Sequence, residues 1–98
     1  MSETNKKGYW LVMLTVTDPE GYKAYVDAIG AATTRFGARY LVRGGEHEHP
    51  EDAGFTRHVV VEFDSYAIAR ECYHSEYQAA AKLRRAASKG HFAIVEGV

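Results

Sequence analysis

The chain has 98 residues, one domain's worth, and a domain of that size buries roughly 60–65% of the surface its unfolded chain exposes, enough for a single thin core. Hydrophobic residues make up 46%, aromatic residues 12% and charged residues 26%, a globular balance that excludes the low-hydrophobicity, high-charge composition of disordered chains. Twelve basic residues against thirteen acidic ones leave a formal charge of −1, which gives no electrostatic footprint for a phosphate backbone or anionic lipid, so neither nucleic acid nor a membrane is expected as a partner.

Residues 1–7 are polar and without period and read as a frayed tail. They lack the apolar segment of a secretory signal, and no apolar run nears the ~20 residues that span a bilayer. A cytoplasmic location is expected, and the lone Cys72, which has no internal partner, fits a reducing compartment. Tyr9 to Val16 is a continuous β-prone apolar run ended by Thr17, Asp18 and Pro19, and is predicted as the first strand. Asp18, Pro19 and Glu20 then read as an N-cap, a proline at the first helical position and an acid near the positive end of the helix dipole. The apolar face of this helix is Tyr22, Val26, Ile29, Thr33 and Phe36, and Gly37 stands where a left-handed C-cap is wanted.

Arg39 to Arg43 is predicted as a second strand ended by Gly44 and Gly45. A polar loop follows from Glu46 to Thr56, then a third strand from Arg57 to Phe63. Ser65 is a second N-cap candidate, and the alanine-rich segment from Tyr66 to about Ala87 is read as two helices hinged near His74, because Ser75 to Gln78 fits a capping box. Lys89-Gly90 ends it, and His91 to Val95 is the last strand. The order β-α-β-β-α-β is the split βαβ pattern: an α+β, ferredoxin-like domain over residues 8–98 with a four-stranded antiparallel sheet and its helices on one face.

The open face of such a sheet should be polar, yet the two strands expected at its centre do not alternate. Trp10, Val12, Leu14 and Val16 point one way while Tyr9, Leu11 and Met13 point the other, and Val60 opposes Val59, Val61 and Phe63. The face without helices therefore needs a cover. A second copy of the same sheet, burying about 1,500 Å² or more, supplies it within the range of specific interfaces, so a sheet-to-sheet homodimer is expected, with a different protein as the alternative cover.

Several short motifs, in order, carry a resemblance over Lys7 to Val98: Lys7-Gly8-Tyr9-Trp10, Thr17-Asp18-Pro19 with Tyr22 and Tyr25, Tyr40 to Gly45, Val59 to Phe63, Tyr73 to Gln78, and Ile94-Val95-Glu96-Gly97. Together they resemble the bacterial family called domain of unknown function 1330, of the dimeric α/β barrel superfamily. Many of its members carry a proline after the motif serine, where Ser75 here is followed by Glu76. The resemblance implies a barrel of two ferredoxin-like subunits packed sheet to sheet. Superfamily relatives include cofactor-free monooxygenases, haem-degrading enzymes and isomerases, with clefts between sheet and helices.

Arg43 beside Gly44 and Gly45 is the leading ligand-binding candidate, a bidentate anion donor next to backbone that a ligand can approach closely, suited to a carboxylate. Tyr40, Trp10 and His74 are placed with it. His58, an imidazole among apolar strand neighbours, and Tyr73, before the hinge, are the catalytic candidates, with a structural histidine and a packed tyrosine as the competing readings. Tyr9, Tyr22, Tyr25, Tyr40 and Tyr73 fall where a sheet-helix cleft could be lined. His47 and His49 share a face of an extended segment, but two ligands are too few for a metal, and no metal site is expected. Cys72 reads as an inert core thiol. The sequence holds no nucleophile elbow, P-loop, dinucleotide fingerprint or zinc spacing, so no cofactor is expected. The expectation is a homodimeric cofactor-free enzyme of oxygenase or isomerase type acting on a small organic acid. The alternative is a non-catalytic dimeric ligand-binding or regulatory module.

Overall fold

A computed structural model of the protein describes residues 6–51 and 54–98, and the first five residues of the expected tail lie outside them. The apolar run at the start forms strand β1 (Gly8–Val16), followed by helix α1 (Pro19–Arg35), strands β2 (Arg39–Arg43) and β3 (Arg57–Phe63), helices α2 (Tyr66–Tyr73) and α3 (Tyr77–Ala87) and strand β4 (Ser88–Glu96). The sheet order is β2-β3-β1-β4 with every pair antiparallel. β1 and β3 are the central pair, as the split βαβ order predicts, and the fold is the ferredoxin-like split βαβ.

Alternation along β1 sorts its side chains between two environments. Trp10, Val12 and Leu14 are buried with Val61 and Phe63 of β3 beneath the helices, whereas Leu11 and Met13 on the opposite face are 40% and 41% exposed. Trp10 anchors the core. Its ring lies 4.8 Å from Tyr77, 4.9 Å from Phe63 and 5.0 Å from Phe92, and its indole nitrogen donates to the Ala69 carbonyl at 3.0 Å, tying α2 onto the sheet. Burial pushes the Cys72 thiol up to about 12, in keeping with an inert core cysteine.

The helical segment breaks where expected. His74 closes α2, its amide donating to the Arg70 carbonyl, and the Ser75 hydroxyl accepts from the Tyr77 amide at 3.2 Å to start α3. Two local expectations need correcting. The last strand begins at Ser88 rather than His91, because Ser88, Lys89 and Gly90 already pair with Val16, Thr15 and Leu14. Gly90 is there for closeness of approach rather than for chain reversal: a Cβ on it would run into the Met13 carbonyl oxygen. Asp18 is the N-terminal residue of α1, but its side chain makes no capping bond, whereas the Ser65 hydroxyl does accept from the Ile68 amide at 3.1 Å.

Ser65→Ala should therefore cost about 1 kcal/mol and lower the melting temperature by roughly 4–8 °C, while Asp18→Ala should cost clearly less. Equal losses in parallel thermal melts would contradict this difference between the two helix starts.

Candidate functional site

The sheet and α1 enclose a cleft floored by Trp10, Val12, Val59 and Val61 and walled by Tyr22, Tyr25 and Ile29, with Tyr40, Arg43 and Arg57 also lining it. Its enclosed volume is about 30 Å³, space for two or so waters at ~10–15 Å³ each. Strand parity explains the arginines. Arg43 pairs across β2 and β3 with Val59, so both point toward the helices. Arg57 precedes Val59 and Val61 by two and four positions and shares their face.

Arg43 stacks its guanidinium 4.2 Å over the Tyr40 ring. Arg57 donates through Nε to the Tyr22 hydroxyl at 3.0 Å, and its Nη1 would lie 2.9 Å from a Cβ placed on Gly44. Among the described residues neither arginine meets a carboxylate, unlike Arg35, paired with Glu76 at 2.7 Å, and Arg39, paired with Glu62 and Asp64. Deeper in, the Tyr25 and Tyr77 hydroxyls lie 2.8 Å apart, and the buried Arg84 donates to Tyr77 at 2.5 Å. Burial, aided by Tyr77, pushes the Tyr25 phenol far above its ordinary value, and burial also raises Tyr77. Both phenols stay neutral and act as hydrogen-bonding groups.

The expected site residues do not all meet. Arg43, Tyr40 and Trp10 line the cleft, although the Trp10 donor is already engaged by Ala69. Gly44 and Gly45 adopt positive φ of 75° and 92° at its edge, turning the chain out of β2. Tyr73 packs elsewhere, its ring 5.0 Å from Phe92 and 6.3 Å from Trp10, and the exposed His74 lies against it at 5.1 Å. His58 is the largest correction. Its cross-strand partner is the outward-facing Met13, which puts it on the sheet face without helices, where it cannot act on a ligand held by Arg43. Parity also removes Tyr9 from the cleft, since its hydroxyl donates to Glu62 at 2.9 Å on that same outer face. Arg57 and the Arg84 network are functional candidates that the sequence reading passed over. The period-two spacing of Arg57 with Val59 and Val61 is a signal for the first, whereas the Arg84 network depends on helix packing that no local pattern encodes. His47 and His49 leave the Gly44-Gly45 turn toward His58, their rings 4.8 Å and 5.4 Å from it.

A family model described as a domain of unknown function, DUF1330, matches residues 7–98. The chain belongs to the DUF1330 family. Among solved structures, this DUF1330 chain is similar to a protein of unknown function from Rhodopseudomonas palustris, with 19% identity, a TM-score of 0.75, and coverage of 97% of this chain and 85% of that one. It is also similar to SnoaB, a cofactor-independent oxygenase from Streptomyces nogalater, with 15% identity, a TM-score of 0.65, and coverage of 92% and 91%. A third is a dimeric protein of unknown function and ferredoxin-like fold from Bacteroides fragilis, at 13% identity, TM-score 0.51, covering 97% and 99%. These likenesses fix the fold of the DUF1330 domain. No curated protein matches it in sequence.

Gly44→Ala should destabilise the domain by about 1 kcal/mol, because a side chain in the left-handed region is strained and its Cβ would crowd Arg57. Gly30→Ala, on α1 with open space around it, should instead stabilise by up to about 1 kcal/mol. Thermal melts of the two variants moving in the same direction would contradict the turn geometry.

Proposed function

We propose that the chain works as a homodimer in which each subunit's sheet-helix cleft binds a small, partly apolar carboxylic acid. The observation that carries this reading is the pair Arg43 and Arg57, two guanidiniums at the edge of an apolar cleft with no carboxylate partner among the described residues. A guanidinium fork matches a carboxylate bidentately, and the apolar floor suits a short hydrocarbon body. The small enclosed volume favours a small guest, and the exposed Arg43 has the freedom to swing aside as it enters.

Binding without turnover is the reading that the cleft's chemistry favours. Among the described residues its lining holds tyrosines and arginines but no histidine, carboxylate or cysteine, so it lacks the imidazole that most often serves as general acid or base. The second reading is chemistry on the bound acid without a cofactor, supported by the fold likeness to the cofactor-independent oxygenase SnoaB. That support is analogy of fold and not of site.

The dimer is supported by the outer sheet face. Leu11, Met13 and Val42 are 40%, 41% and 40% exposed and, with Val60, form an apolar strip across three strands. Such a strip in water marks an interaction surface. The likeness to a dimeric protein of the same fold points the same way.

Small carboxylates such as acetate and propionate should raise the melting temperature of the native protein while their amides do not, and Arg43→Ala and Arg57→Ala should each abolish the rise. If no acid stabilises the native chain, the anion cleft is rejected; oxygen consumption with a stabilising acid would move the second reading ahead of the first. Leu11→Asp and Val60→Asp should each convert the dimer to a monomer in multi-angle light scattering, because a charge buried there lacks a partner. A dimer that persists in both variants would rule out pairing through this face.

A further inference from the structure

Three of the chain's five histidines converge on the side of the sheet away from the cleft, and nothing in the acid-binding reading uses them. Alternation in the extended segment puts His47 and His49 on one side, and the Gly44-Gly45 turn folds that segment back over β3, where strand parity turns His58 outward to meet them. The ring centres lie 4.8 Å, 5.1 Å and 5.4 Å apart, and one nitrogen from each ring falls within 4.8 Å of the other two.

These spacings can be compared with what a metal requires. An ion bound tetrahedrally by three imidazoles at about 2.05 Å from each nitrogen holds those nitrogens about 3.3 Å apart and the ring centres about 5.2 Å apart. The rings are thus already at ligating separation, and rotation about their side-chain bonds closes the remaining gap between nitrogens. Two further observations fit the same purpose. His47 Nδ1 lies 3.1 Å from the Gly45 carbonyl oxygen, which can only accept, so Nδ1 donates and Nε2 is the nitrogen left to ligate in the neutral ring. That arrangement, a backbone carbonyl holding the far nitrogen, is how ligating histidines are oriented in metal sites. His58 Nδ1 is shut off from solvent and has no hydrogen-bond partner among the described residues, an arrangement that costs a folded protein free energy unless something occupies the lone pair or takes the proton.

We propose that His47, His49 and His58 bind one Zn²⁺ ion, with solvent completing the tetrahedron. Among the described residues the donors are three imidazole nitrogens with no thiolate or carboxylate, a set that suits zinc among the abundant divalent ions rather than calcium or magnesium, which take oxygen ligands. In the single chain His47 and His49 are exposed while His58 is half-buried, and His58 stands at the loop end of the apolar strip proposed to pair, so the ion is reached from the loop side. Binding also clips the β2–β3 connection to the central strand, giving that loop an anchor.

The test uses the untagged full chain after dialysis against EDTA, titrated with ZnCl₂ in a calorimeter. One ion should bind per chain, and Co²⁺ in its place should give the visible absorption of a tetrahedral site. His47→Ala and His49→Ala, both in an exposed loop, should melt as the metal-free native protein does yet lose more than the roughly 10–100-fold in affinity that a merely supporting residue is worth. His74→Ala and His91→Ala should bind as the native chain does. Absence of saturable binding by the native protein would overturn the proposal. So would unchanged affinity in the His47→Ala and His49→Ala variants, or an equal loss in the His74→Ala control.

Discussion

The structure depends on the pairing of β1 with β3 in one register. Trp10 stands opposite Val61 and Met13 opposite His58, so a single ladder of backbone hydrogen bonds assigns every side chain of both central strands to a side. On the side toward the helices this assembles the core around Trp10, whose buried ring and indole donor fix α2 and α3 relative to the sheet. On the other side it lines up Leu11, Met13 and Val60. Neither assignment can change alone, because the period of a strand is two. The core, the cleft and the outer apolar strip therefore have one common cause.

The cleft then follows from what the ladder leaves at its ends. Where core packing stops, the inward-facing positions of β2 and β3 are filled by Arg43 and Arg57, and α1 supplies tyrosines opposite them. Aromatic faces and phenol oxygens accommodate guanidinium groups without neutralising them. This is an environment in which positive charge is held in place yet not cancelled, in contrast to Arg39, which is matched by Glu62 and Asp64 within the outer polar rim. The difference between a structural and a cleft-lining arginine in this domain is the chemistry of its neighbours rather than its exposure.

Much of the fold was legible in the sequence because it rests on short-range signals. The apolar run of β1, the three-and-four spacing of α1 and the Ser65 cap are local, and β2 and β3 fall at the predicted residues. The start of β4 was missed because Lys89 and Gly90 look like a helix stop, and only the close approach of Met13 explains a glycine inside that strand. The site was less legible. A strand-terminal arginine before two glycines is visible in the primary sequence, and Arg43 and Tyr40 do line the cleft. The apolar neighbours of His58 point to the cleft, whereas its pairing with Met13, which sequence alone does not reveal, places it on the other face. The meeting of His58 with His47 and His49 is a contact across a loop, set by two positive-φ glycines, and sequence spacing alone gives no measure of it.

Arg57 and His58 are neighbours in the chain, yet one faces the acid cleft and the other the histidine cluster, so the two surfaces of this sheet meet across a single peptide unit. A frameshift of β3 by one position against β1 would exchange them, sending an imidazole beneath α1 and a guanidinium out toward the loop. The alignment of two strands is thus chemical information as much as mechanical support. An insertion or deletion anywhere in β3 would scramble both surfaces at once, whereas the long connection before it can vary in length without disturbing the residues on the cleft side.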